Sequence, residues 1–309
     1  MKPSILVRQI GLLAIVCLAL MSCRSADSDS EVYYGDTLRV KSPTGQELKY
    51  VVTNANTCTL ELCGFADTAK VSVGPLQIPG KVRYSGQTYT VTSIHKKSFR
   101  RCNKITEVSM ADNITTMGRG VFKHCENITK VRLSANLTML PSSTFSKCSS
   151  LEYVDIPDGV ETIGEGAFRK CAKIGSIKMP SSLKNVQYEA FLGCVSLRYV
   201  TLPNGVQTIG HRAFGDCCGL TGITFSKSLK EIGDHAFMHC ENLVSVSIPD
   251  NVVSIGIGAF SGCSSLKQVR FPQGIVRIGD WAFWGCDNLG KVPRPASLSE
   301  LGHHNNIFD

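Results

Sequence analysis

The chain has 309 residues, of which 43% are apolar and 19% are charged, a balance that excludes disorder throughout its length. Its net charge is +8, or +6 once an N-terminal segment carrying Lys2 and Arg8 is removed. Lys and Arg are scattered along the chain and form no run interleaved with aromatic residues, so we expect no nucleic-acid partner. The fourteen cysteines include no C-x-x-C pair, which argues against a zinc ribbon.

The first residues predict an export signal. Lys2 and Arg8 precede an apolar run from 10 to 21, which is too short for a comfortable membrane-spanning helix. The tetrapeptide LMSC, which ends at Cys23, resembles a bacterial lipoprotein signal. The resemblance implies a signal peptide over 1–22 and a lipid on Cys23. An ordinary secretory signal with a chance cysteine is the alternative.

Residues 23–31 are polar and acidic, and they predict a flexible tether. Arg24 follows Cys23, where lipoproteins retained in the inner membrane carry Asp. The lipoprotein resemblance therefore implies an exported chain that is lipid-anchored in the bacterial outer membrane, although the signal does not indicate on which side. We predict display at the cell surface. A periplasm-facing position is the alternative. Residues 32–90 contain four β-prone runs and predict a β-rich N-terminal cap over the first repeat.

A 23-residue period runs without insertion or deletion through residues 91–302. Nine phenylalanines mark it, each followed three residues later by a cysteine, which is the signature of a solenoid. The Phe column is Phe99, Phe122, Phe145, Phe168, Phe191, Phe214, Phe237, Phe260 and Phe283. Residues 303–309 are predicted to be a polar C-terminal tail.

Within each unit, apolar residues six and eight positions after the cysteine are the inward positions of a short strand, as in Ile177 and Met179. The Ala-Phe segment, such as Ala167-Phe168, is predicted to form one helical turn. The predicted fold is therefore an α/β solenoid in which each unit has a β-strand and a short helical turn.

This AF-x-x-C…L-x-x-V-x-I-P order resembles the BspA-like, treponemal-type class of leucine-rich repeat proteins. The resemblance covers residues 94 to about 301, and nine units agree in several columns. It implies an exported bacterial protein, often attached to the surface, that binds host proteins or other cells. It implies no specific ligand.

The nine column cysteines invite interpretation as a metal ladder, a redox relay or stacked disulfides. Free Cys is among the most buried residue types, so we interpret the column as small apolar side chains in the core. His235 and His239 have helical spacing, but no Glu accompanies them as a base, and we interpret them as surface residues. We expect neither a metal site nor a cofactor.

The outward strand positions, five and seven residues after each cysteine, vary freely while their neighbours stay constant. They carry Tyr and Arg, residue types that are enriched at binding hot spots. Each residue taken alone is more simply a solvated strand residue, but the surface as a whole indicates binding. The predicted ligand-binding residues are Lys130, Arg132, Tyr153, Asp155, Lys178, Tyr199, Thr201 and Arg270.

No Gly-x-Ser-x-Gly, phosphate loop or dinucleotide fingerprint occurs in the sequence, so we predict that the protein is not an enzyme. The predicted function is non-catalytic adhesion, in which the strand-lined face binds a protein or other macromolecule of a host or neighbouring cell, including host extracellular matrix. The alternative is a periplasm-facing envelope scaffold with a bacterial partner.

Overall fold

The computed structural model describes residues 32–308. The predicted signal peptide (1–22) and tether (23–31), which includes Cys23, lie outside the described residues. Within 32–308 no helix is long and apolar enough to cross a membrane.

The secondary structure of the described residues consists of strands and turns. The strands are, in chain order, β1 (Thr37–Lys41), β2 (Glu47–Asn54), β3 (Thr59–Phe65), β4 (Gly74–Ile78), β5 (Lys81–Tyr84), β6 (Gln87–Ile94), β7 (Ile105–Met110), β8 (Thr116–Met117), β9 (Lys130–Arg132), β10 (Met139–Leu140), β11 (Tyr153–Asp155), β12 (Thr162–Ile163), β13 (Asn185–Val186), β14 (Tyr199–Thr201), β15 (Thr208–Ile209), β16 (Gly222–Thr224), β17 (Glu231–Ile232), β18 (Ser245–Ser247), β19 (Ser254–Ile255), β20 (Gln268–Arg270), β21 (Arg277–Ile278) and β22 (Glu300–Leu301).

The N-terminal region forms a sheet in the order β1-β2-β3-β6-β5, whose core side chains include Tyr50 and Tyr89. The N-terminal region joins the repeats at two places, through β6 of this sheet and through β4, which lies outside it. Strand β4 pairs in parallel with β7, with Leu76 opposite Val108, and β6 pairs in parallel with β8. The N-terminal region therefore continues the strand pairing of the first coil and covers its apolar end. A repeat array needs such a cap at its terminus.

The coils of the solenoid carry parallel strands on two sides. On one side, the three-residue strands, β7 and β4 form three separate ladders, β4-β7-β9-β11, β14-β16 and β18-β20, which together are the strand sheet. The outward surface of the strand sheet is the strand face, defined by the positions five and seven residues after each cysteine. The other side contains a second sheet, of two-residue strands in the order β10-β12-β13-β15-β17-β19-β21-β22. The sequence interpretation missed this second sheet, because a two-residue strand is too short to show alternation.

No helix occurs in the part of the chain from 32 to 308, so the predicted α/β class and helical turn are wrong. The reason lies in the direction of the backbone N–H groups. Alternate ones donate to the next coil, as Phe168 N does to Ala190 O at 2.8 Å. Residues two before and two after each Phe have left-handed φ angles, 55° at Gly166 and 58° at Lys170. Left-handed residues do not continue a right-handed helix. The segment from two residues before each Phe to two residues after it is therefore not helical, and we call it a double turn.

The core is a set of columns parallel to the solenoid axis. The nine phenylalanine rings are 0–3% exposed and stack face to face, with centroids 5.1–5.6 Å apart and interplanar angles of 3–19°. Burying a Phe side chain contributes about 1.5–3 kcal/mol, and every unit adds one. The predicted solenoid, with its inward columns, is confirmed.

The C-terminal residues close the other end of this core. Buried Asn305 donates from Nδ2 to Gly279 O at 2.9 Å, and its Oδ1 accepts from Phe283 N at 3.2 Å. Ile307 and Phe308 are less than 10% exposed, and Phe308 forms a β-bridge with Val292. The side chain of Asn305 thus supplies polar partners that another coil would supply elsewhere.

Candidate functional site

The strand face presents all eight predicted binding residues to solvent. In β9, β11, β14 and β20 the central valine is buried and both neighbours are exposed. This alternation follows from the strand geometry, in which successive side chains point to opposite sides. The eight residues do not form one cluster, however: seven of them divide into three groups along the axis, and Lys178 lies between the first two groups.

The first group lies on β9 and β11. Strand pairing places Tyr153 beside Lys130 and Asp155 beside Arg132. The Lys130 ammonium nitrogen is 5.9 Å from the centroid of the Tyr153 ring, within cation–π range. Tyr153 is 54% exposed, so its ring presents a large apolar surface to solvent.

Arg132 is held in place by a residue that the sequence interpretation missed. Its Nη1 donates to Met110 O at 2.8 Å, and its Nη2 lies 3.4 Å from Asp112 Oδ2. Asp112 also accepts from Ala135 N at 2.9 Å, and this hydrogen bond is the main reason that its pKa is lowered. The guanidinium of Arg132 therefore has a fixed orientation at the edge of the strand face.

The cap extends this first group by one row. An open depression of about 280 Å³ lies between β4 and β9 and is lined by Thr44, Gln77, Glu107, Lys130 and Arg132, among others. The run Leu76-Gln77-Ile78-Pro79 repeats the strand pattern V-x-I-P, a signal that could have revealed this row from the sequence.

The second group surrounds Tyr199. Its hydroxyl is 2.6 Å from Thr224 Oγ1, and its ring lies over Gly222, where an added Cβ would come within 2.8 Å of a ring carbon. Tyr199 is 51% exposed, and Thr201 pairs with Thr224. The glycine therefore gives the ring room to lie across the neighbouring strand.

The strand sheet is interrupted between these two groups. Strand β11 pairs with β9 on one side, whereas Ser176 in the next coil forms its β-bridge with Tyr199. Lys178 is exposed in this intervening coil. Tyr153 and Tyr199 thus lie on either side of a discontinuity, two coils and about 10 Å apart.

Of the eight predicted binding residues, the third group contains one, Arg270. Together with Ser245, Ser247, Gln268 and Lys291 it lines an open depression of about 510 Å³. Lys291 Nζ donates to Asn306 O at 3.0 Å and to Phe308 O at 3.1 Å, so this ammonium anchors the C-terminal residues.

The comparisons with known proteins agree with this geometry. A family profile described as the BspA type leucine-rich repeat region, in 6 copies, matches residues 85–198 and 186–308. The chain belongs to the BspA-type leucine-rich repeat family. The predicted resemblance is therefore confirmed.

Solved structures of similar repeat proteins come from bacteria. A leucine-rich repeat protein from Bacteroides ovatus is 23% identical, with a TM-score of 0.61 over 83% of this chain and 89% of its own. A leucine-rich repeat protein from T. pallidum is 24% identical, with a TM-score of 0.49 over 77% of this chain and 91% of its own. The similarity to the Bacteroides ovatus structure supports the fold and nothing beyond it. No curated protein matches this sequence.

The cysteine column of this BspA-type protein is part of its core. All nine thiols are free, and from Cys125 onward each is buried. Each of these eight S–H groups donates to the Phe carbonyl of the preceding coil, at 2.9–3.2 Å. Burial raises the pKa of Cys194 to about 12. The interpretation as buried structural side chains is confirmed.

The histidines that the sequence singled out lie on the double turns. His239 Nδ1 is 3.1 Å from Asp216 Oδ1, and His235 packs edge-on against His211 at 5.4 Å. Burial, followed by the charges of His211 and Arg212, lowers the pKa of His235. Within residues 32–308 no three His, Cys, Asp or Glu side chains converge as a metal site.

Proposed function

We propose that this BspA-type repeat protein is an exported, non-catalytic lipoprotein, anchored through Cys23 in the bacterial outer membrane and displayed at the cell surface. Its strand face binds a protein or other macromolecule of a host or neighbouring cell. The observation that carries the proposal is the alternation on the strand face, where a buried apolar ladder holds a row of exposed Lys, Arg and Tyr side chains.

The binding surface is assigned to the first two groups, because together they present two exposed tyrosines and two cations, of which Arg132 is held in a fixed orientation. Tyr153 and Tyr199 are each about half exposed, and Lys130 and Arg132 stand beside Tyr153. Tyr supplies a large contact area with little loss of side-chain entropy. Arg132 is already held by Met110 O and Asp112, so its guanidinium can bind a partner without first being ordered. The proposed partner presents acidic and apolar groups to this surface.

The test is binding of the mature chain, beginning at Cys23, to a decellularised fibroblast matrix. The variant carrying Tyr153→Ala and Tyr199→Ala should lose about tenfold or more in affinity, since hot-spot truncations cost over ~1 kcal/mol each. The matched control carries Tyr34→Ala and Tyr188→Ala, which removes two exposed tyrosines outside the strand face. Equal affinities for the two variants would refute the assignment.

The proposed location requires a separate experiment. Protease treatment of intact cells should remove the protein if it faces outward. Full protection in intact cells, with digestion after lysis, would instead support the periplasm-facing scaffold.

A further inference from the structure

Cations that are far apart in the sequence gather on the double turns of the first four coils. They occupy positions around Phe99, Phe122, Phe145 and Phe168, on a different side of the coil from the strand face. We call them the basic turn patch, which consists of Lys97, Arg100, Arg101, Arg119, Lys123, Lys147, Arg169 and Lys170.

Backbone hydrogen bonds between coils fix the spacing of the patch. Arg101 N donates to Lys123 O at 2.8 Å, and Lys147 N donates to Arg169 O at 2.7 Å. Successive coils are thus separated by one hydrogen bond, or about 4.8 Å. Residues 23 positions apart along the chain, such as Lys147 and Lys170, become neighbours in a row along the solenoid axis.

The patch is poorly neutralised by acidic residues. Within residues 32–308, only Arg169 of the eight has a carboxylate within 4.0 Å, namely Glu189 Oε2 at 3.0 Å. Burial, and then the charges of Arg100, Arg169, Lys147 and Lys97, lower the pKa of Lys123. The positive charges therefore act on one another, and such a surface favours a polyanion.

At the position two residues after each Phe, the lysines and arginines end with the fourth coil. Two residues after each Phe, the first four coils carry Arg101, His124, Lys147 and Lys170. At the same position the five later coils carry no lysine or arginine: Gly193, Asp216, His239, Gly262 and Gly285. The repeat fold tolerates glycine here, so the cations are not needed to form the double turn.

We propose that the basic turn patch binds a linear acidic polysaccharide. Within a row of the patch, successive lysines and arginines are one or two coils apart, or about 5 to 10 Å, which matches a polymer that carries a carboxylate or sulfate on every one or two sugar rings. Single-stranded nucleic acid needs aromatic side chains on which bases stack. On the double turns the exposed aromatic residues, Tyr188, Trp281 and Trp284, belong to later coils. This site is separate from the strand face and does not depend on the function proposed there.

The test variant is the mature chain with Arg101→Gly, Lys147→Gly and Lys170→Gly. These residues have left-handed φ angles of 58–63°, so glycine fits each position without strain. The matched control carries Lys227→Ser, Lys230→Ser and Lys267→Ser, which removes the same charge from exposed positions outside the patch. Circular dichroism and melting temperature verify that both variants fold.

The probe is heparin, titrated at about 0.15 M salt and again at higher salt, which weakens interactions between exposed charges. The unmodified chain and the control should bind with similar affinity, and the glycine variant about tenfold or more weakly. Equal losses of heparin affinity in the glycine variant and the control would mean that binding depends on net charge alone, and would overturn the proposal. So would tighter binding to oligo(dT) or to phosphatidylglycerol vesicles than to heparin, or no heparin binding.

Discussion

Replacing Phe191 with alanine measures how strongly the ring column holds the coils together. The ring is fully buried and stacks on Phe168 at 5.2 Å and on Phe214 at 5.1 Å. The substitution removes the ring and its two stacking contacts, and the stacked coils can collapse only partly around the cavity. Loss of a buried Phe costs about 3–5 kcal/mol, a large share of the 5–15 kcal/mol that stabilises a typical domain.

The assay is urea unfolding followed by circular dichroism. Phe191→Leu keeps most of the apolar volume and should cost about 1 kcal/mol. Tyr188→Ala, at an exposed ring three residues earlier, should stay within about 0.5 kcal/mol of the unmodified chain. If Phe191→Ala lowers the free energy of unfolding by under about 1 kcal/mol and leaves its dependence on urea concentration unchanged, the ring column is not a main source of stability.

Two further predictions concern titration. Alkylation of the native chain at about pH 8 should label half-buried Cys218 and leave Cys194 unlabelled, because burial raises the pKa of Cys194 to about 12; peptide mapping that shows equal labelling would contradict this. A thiol whose pKa is raised by folding stabilises the fold below its ordinary pKa, so stability should fall as the pH rises above about 9. The Asp112 pKa is lowered, chiefly by the N–H of Ala135, so its contribution is present above its ordinary pKa of 3.8 and is lost on acidification below it. Asp112→Asn should therefore flatten the acid limb of the melting temperature, and an unchanged limb would refute the role of this carboxylate.

The sequence predicted the parts of the fold that repeat. The period placed the Phe and Cys columns inside, and alternation around residues such as Val154 placed Tyr153 and Asp155 outside, as the structure confirms. These positions are determined by contacts with the adjacent coils, which recur in every unit. A pattern that recurs nine times can be read without knowing the path of the chain.

The parts that the sequence could not predict depend on backbone direction. The spacing of Phe168 and Cys171 fits one turn of helix as well as the double turn that forms, because both bring residues three apart together. The choice between them depends on whether the backbone N–H groups donate within the coil or to the next one, which apolar spacing does not encode. The basic turn patch was missed for a related reason, since Arg101 and Lys123 are distant in sequence and adjacent only after coiling.

The interruption of the strand sheet beside β11 has a mechanical consequence. When a solenoid is pulled from its two ends, each junction between coils bears the whole force. Where β11 and the coil of Ser176 meet, the second sheet and the double turns supply the hydrogen bonds between the coils, such as Gly166 N to Tyr188 O. The strand sheet is interrupted a second time, between β16 and β18. Extension under load should therefore begin at one of these two junctions and leave the stacked coils between the breaks intact.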